Sequence, residues 1–155
     1  MRPYLSFLYM LTLSLWVGGM AIFTFIVTPA IFRSYGRDAA GEIVGRLFPG
    51  YFAYLLILSG AALVLFLFQR SLAPAALSRL SLALLIAAVL VNAYVSFRLH
   101  PEAIRIKQQI TSFERESADS PARKAFRRLH AVSAVLNLFV LLDGSALLAL
   151  SRQLR

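Results

Sequence analysis

The chain has 155 residues, 59% hydrophobic and only 15% charged, with a net charge of +9 and no cysteine; its mean hydropathy is +0.73. Soluble domains carry about 45–50% apolar and about 25% charged residues, so this is the composition of a membrane protein, and disulfides, thiolate metal sites and thiol catalysis are excluded. The positive balance reads as the loop bias of membrane proteins rather than a nucleic-acid footprint, and no nucleic-acid partner is expected.

Charge is strongly segregated along the chain. Residues Pro3 to Phe32, Leu47 to Gln69 and Leu80 to Phe97 contain no Asp, Glu, Lys or Arg, and Leu129 to Ser151 contains a single acid, Asp143. About 20 apolar residues cross the hydrocarbon core, and in lipid a helix satisfies its own backbone. The runs predict four spans, at about 5–32, 48–68, 75–99 and 129–150. The expected fold is all-α: a multi-pass four-helix bundle forming one integral membrane domain over 1–155, with the lipid bilayer as its surroundings.

Span one begins after Arg2. Its apolar stretch is about twice the usual 7–15 residues of a signal peptide and no small-x-small cleavage site follows, so it is expected to be retained. Trp16 falls near its middle, away from the interfacial belt, and heads WVGG, where Gly18 and Gly19 allow close helix approach. Trp16 either packs between helices or lines a central cavity. Pro29 is expected to bend the far end of this span.

The first loop, RSYGRDAAGEIVGRLFPG, has room for a short interfacial helix between its glycines. Tyr51 and Tyr54, just after Pro49, read as aromatic anchors at the membrane surface. The second connection, QRSLAPAALSR, is short, so spans two and three should be antiparallel neighbours.

In the third loop Ile106, Ile110 and Phe113 recur with helical spacing, and span three is expected to continue past Pro101, kinked there. Ser120-Pro121 resembles an N-cap followed by proline at the first helical position. Helix four would then start several turns before the membrane, making a helical hairpin with the end of span three. Arg2, Arg70, Arg79, Arg152 and Arg155 fall on one side, and the other eleven basic residues on the first and third loops. Basic loops stay in the cytoplasm. The expectation is a plasma membrane, bacterial and inner, with both termini outside, the first and third loops cytoplasmic, and the hairpin cytoplasmic with them.

Polar residues inside the spans form a pattern. Asn92, Ser96 and His100 lie along one ridge of span three, and His130, Ser133 and Asn137 on one face of span four. A mirrored register would pair His100 with His130, Ser96 with Ser133 and Asn92 with Asn137. A turn near residues 118 and 119 would instead set His100 beside Asn137, a slip of about 10 Å at 1.5 Å per residue. The mirrored register is the preferred reading. Such residues commonly hold helices together; the sharper reading is a binding or proton-relay ladder. Asp143, the only acid within a span, either reaches the interface, pairs with Arg79, or faces the bundle interior with Trp16 in a proton-coupled role.

There is no phosphate loop, no HExxH, no carboxylate cluster and no nucleophile with a base at recognisable spacing. No cofactor and no metal ligand set is expected, and an enzyme is not the favoured reading. Haem stays open, because a helix bundle needs only one or two axial histidines to hold it, here His130 with or without His100.

LFPGYFAY at 47–54, NAYVSFRLHP at 92–101 and FRRLHAVSAVLNL at 126–138 resemble the transmembrane-protein-205-like family, and WVGGMAIFTFIVTPAIF in span one is similar to its bacterial members. A remoter similarity is to copper-resistance-D-like bundles. The resemblance implies a small four-helix membrane protein without an agreed activity, and matches His130, Ser133 and Asn137 to the family pattern. Three functions are weighed: a non-enzymatic transport or accessory component, a homo-oligomer or joined to a membrane partner; a haem- or metal-binding redox protein; and a scaffold whose basic hairpin docks a partner or anionic lipid.

Overall fold

The computed structural model describes residues 2–69 and 75–151, the side chain of Arg2 excepted. Four helices, each long and apolar enough to cross a membrane, account for it: α1 (Pro3–Ser34), α2 (Arg37–Gln69), α3 (Ala75–Lys107) and α4 (Pro121–Ser151). They are antiparallel in sequence and pack as one bundle around Tyr9, Leu13, Trp16, Met20, Leu55, Ala62, Phe66, Leu85, Ala88, Val140 and Leu147. The outward faces are as greasy as the core: Phe25, Ile57, Leu90, Phe97 and Leu142 are all exposed, as lipid-facing side chains are. The connection between α2 and α3, with Pro74, lies outside the described residues, as do Arg70, Arg152 and Arg155.

Prolines shape two of the helices. The pyrrolidine ring clashes with the carbonyl four residues back and donates no hydrogen bond. In α1 a π-turn, Phe23–Val27, ends two residues before Pro29; in α3 another, Val95–Leu99, ends two residues before Pro101. The wider turn takes up the misfit without breaking the helix. The two π-turns stand at similar depth, Phe23 of the one and His100 just after the other both meeting the Phe48 ring at 6.0 Å. Pro49 is carried inside α2.

The first loop is far shorter than expected. Tyr35 alone is extended, its N–H bonding Ile31 O at 3.1 Å, and Ala40 N reaches Gly36 O at 2.8 Å as α2 begins. The helix anticipated between the glycines exists, but it is continuous with span two. Asp38 in its first turn complements the helix dipole.

The hairpin between spans three and four is present, with one difference. Helix α3 stops at Lys107, so Ile110 and Phe113 belong to a folded loop and not to one helical face. Two features hold the loop down. Lys107 Nζ donates to Gly41 O at 2.7 Å, beside Gly45, where a Cβ would come within 3.4 Å of the ammonium. Asp38 receives Ser112 Oγ and Phe113 N–H, each at 2.5 Å. Helix α4 then begins as anticipated, Ser120 Oγ accepting Arg123 N–H at 3.3 Å with Pro121 next. Phe113 packs edge-on to Phe126 at 5.1 Å, with Arg123 over its ring.

The charge-free run of α2 starts at Leu47, and Asp38 stands outside it. Donation from Ser112, then from the backbone of Phe113 and Glu114, with Arg115 nearby, holds its carboxyl below the ordinary carboxylate range. A group lowered in the folded state stabilises above its unfolded value, and that contribution is lost as pH falls through the lowered one. Asp38→Asn should therefore speed hydrogen exchange of the 108–119 amides at neutral pH. Acidification should do the same to wild type, after correction for intrinsic rates. Unchanged protection in both would show that the loop is held elsewhere.

Candidate functional site

The interior of the bundle carries its polar side chains at two depths. The first lies towards the loop end. Tyr51 OH donates to Asn137 Oδ1 at 2.7 Å, and Asn137 Nδ2 donates to Thr24 Oγ1 at 3.0 Å. This knot joins α2, α4 and the π-turn of α1. Phe23 stacks on Tyr51 with ring centroids 4.1 Å apart. His100 belongs to the same depth: its ring stands edge-on to Phe52 at 5.0 Å and to Phe48 at 6.0 Å, flanking Tyr51 in sequence. His100 Nε2 and Ser96 Oγ are buried there without a hydrogen-bond partner.

The second depth lies about 12 Å closer to the termini, eight residues along α2 and α3 at 1.5 Å each. Asn92 Nδ2 donates to Ser59 Oγ at 3.1 Å, joining α2 to α3. Trp16, eight residues before Thr24, and Asp143, six after Asn137, fall near this level. Trp16 is fully buried and Asp143 is 4% exposed. The indole lies against Gly144, where a Cβ would sit 3.8 Å from its ring-junction carbons and 2.8 Å from Val17 Cγ2. Trp16 Nε1, both Asp143 oxygens and, further along α1, Tyr9 OH are buried and make no hydrogen bond. The Tyr9 phenol is within electrostatic reach of Asp143.

The mirrored register is therefore not the one adopted. Asn137 bonds Tyr51 and Thr24, whereas Asn92 bonds Ser59 a full 12 Å away; His100 stands level with Asn137, the alternative set by the turn. His130, seven residues before Asn137, is exposed and stacks on Phe126 at 6.3 Å, so the two histidines do not meet. Ser133 is half-buried. The cause is the tightly folded loop, which docks on α2 and fixes where α4 starts. Asp143 does not pair with Arg79, whose guanidinium is exposed and bonds Ala75 O at 3.3 Å. Ion pairs among the described residues are three local ones, Arg46–Glu42, Arg105–Glu102 and Lys124–Asp119. No three of their His, Cys, Asp and Glu residues gather closely enough to hold a metal ion.

Tyr51 corrects a second expectation. It is 8% exposed and faces the interior, not the membrane surface. Tyr54 also turns inwards at its tip, its hydroxyl donating to Leu15 O while the ring covers Gly19. Thr24, Tyr51 and Ser59 were missed, although a signal existed. Tyr51, Leu55 and Ser59 share one ridge of α2 at i, i+4 and i+8, and Thr24 continues the buried stripe of Trp16 and Met20.

Comparison with known proteins adds one match. Neither the curated proteins nor the solved structures offer a relative of this chain. A family described as "Domain of unknown function (DUF4149)" matches residues 11–112. The matched segment takes in Trp16, Thr24, Tyr51, Ser59, Asn92, Ser96 and His100, and stops before Asn137 and Asp143. Since the match covers well over half of its residues, the chain belongs to this family, described as a domain of unknown function.

Proposed function

We propose that the protein is a small non-enzymatic transport or accessory component of a bacterial inner membrane, acting as a homo-oligomer or beside a membrane partner. One observation carries the reading: inside an apolar bundle, hydrophilic groups face one another at two depths, and Asp143 among them is buried with both oxygens unpartnered. Polar and ionisable groups at such depth are costly in lipid and mark substrate or ion pathways. Four closely packed helices enclose little space, which is why a second copy or a partner is part of the proposal. Kinship with the transmembrane-protein-205-like chains belongs to the same reading. So does the orientation that puts both termini outside and the eleven basic loop residues in the cytoplasm.

The absence of native cysteine makes the topology directly testable. Single cysteines at residues 117 and 153 should be labelled from opposite sides of intact spheroplasts, residue 153 from outside. For function, proteoliposomes should pass a solute, in a screen of small ions and neutral metabolites, faster than protein-free vesicles. Equal fluxes in the two, together with no partner retained by crosslinking in native membranes, would remove the reading.

A further inference from the structure

Asp143 stands apart from every other acid in the chain. The remaining six, Asp38, Glu42, Glu102, Glu114, Glu116 and Asp119, all lie towards the loop end, outside the charge-free runs. Among the described side chains, no cation pairs with Asp143. On α1 there is no charged residue from Pro3 to Phe32; the Tyr9 phenol is within electrostatic reach and the Trp16 indole lies against Gly144, the next residue. On α2 there is none from Leu47 to Gln69, and Tyr51 and Tyr54 are committed to Asn137 and Leu15. On α3 there is none from Leu80 to Phe97. On α4 itself Asp143 is the only charged residue between Leu129 and Ser151, with His130 exposed at the far end.

A carboxylate in that position is an uncompensated charge in an apolar interior, which proteins avoid by pairing or by neutralising the group. Among the described residues no partner is in place. The indole N–H has no lone pair to give a metal ion, and among the described residues no three His, Cys, Asp or Glu gather to hold one, so the proton is the cation that this site suits best. We infer that Asp143 is the proton-binding group of the bundle. In the closed packing it is a neutral carboxylic acid. When water reaches it, the O–H bond breaks, the proton passes to that water and a carboxylate is left; reclosure reverses the step. Its use in transport rests on the function proposed above, but its chemistry can be tested apart from it.

The test is infrared spectroscopy of the full-length protein in lipid. A protonated-carboxyl C=O band at neutral pH that shifts in deuterium oxide marks a carboxyl kept in an apolar interior, and among the described residues Asp143 is the one buried acid. The band is expected in wild type, lost in Asp143→Asn, and removed reversibly by raising the pH. No such band at neutral pH, a band surviving in Asp143→Asn, or one that never titrates would each overturn the inference. Should Asp143→Asn fail to fold, the wild-type band and its titration decide alone. A titrating band in a protein that moves no solute would uphold the site while removing the transport reading.

Discussion

Gly144→Leu is expected to unfold the bundle around Trp16, and Gly144→Ala to weaken it. A Cβ at this position would lie 2.8 Å from Val17 Cγ2, closer than two carbons can rest. Val17 is short and β-branched, with a single stiff torsion to yield, and the Trp16 indole closes the other side at 3.8 Å. Alanine therefore asks for a small separation of α1 and α4, costing about 1 kcal/mol, whereas leucine cannot enter without parting them, costing about 3 kcal/mol or more. Trp16 is the single tryptophan of the chain, so its fluorescence reports the site without labelling. Wild type should emit as a fully buried indole. Gly144→Leu should shift the emission to the red and lower the thermal midpoint in detergent well below that of Gly144→Ala. Equal midpoints for the three proteins would mean that α1 and α4 are not packed this closely. Gly18→Ala is the control, because a Cβ there meets nothing within 4 Å.

The same contact shows how much could be read in advance. Charge-free runs foretold four long apolar helices, because lipid leaves the chain no alternative, but the helices outrun them, α2 starting at Arg37, α3 ending at Lys107 and α4 starting at Pro121. Trp16 and Asp143 stood out as an aromatic away from the interfacial belt and an acid within a span; both are buried, although for Asp143 the sequence left the interface and Arg79 as alternatives. What stayed hidden was mutual register. The mirrored pairing of Asn92 with Asn137 was consistent with the residue types, but register is set by where helices start and stop. Those points are fixed by Asp38, an ordinary loop acid in sequence, which catches Ser112 and Phe113 and docks the loop. Tyr51 was misplaced for a related reason: proline before an aromatic suggests a helix end at the membrane surface, yet α2 runs through Pro49 for three more turns towards Arg37.

Asn137→Leu should be the most damaging change among the interior polar residues that form hydrogen bonds. Asn137 is the middle of a relay, accepting from Tyr51 at 2.7 Å and donating to Thr24 at 3.0 Å. Leucine fills a similar volume but takes from the Tyr51 hydroxyl its amide acceptor and leaves it Thr24 alone, a cost of about 1 kcal/mol or more. Thr24 suffers less, because a helical threonine can turn its hydroxyl to the carbonyl a turn back. Tyr51→Phe keeps the stack on Phe23 and removes only the donor. Hydrogen bonds between membrane helices are worth about 0.6 kcal/mol on average and about 1.7 at most, so this variant should be the milder. The pair then predicts its own coupling. Once phenylalanine has replaced Tyr51, the bond to Asn137 is already lost, and Asn137→Leu should cost about 0.6 kcal/mol less than in wild type. The measurement is a double-mutant cycle on unfolding in mixed micelles. Strict additivity would show that Tyr51 and Asn137 do not bond in the membrane, and would loosen the tie between α2 and α4 that sets His100 level with Asn137. Replacing Asn92 by leucine should not change that coupling, since Asn92 and Ser59 tie α2 to α3 about 12 Å away, without a shared partner.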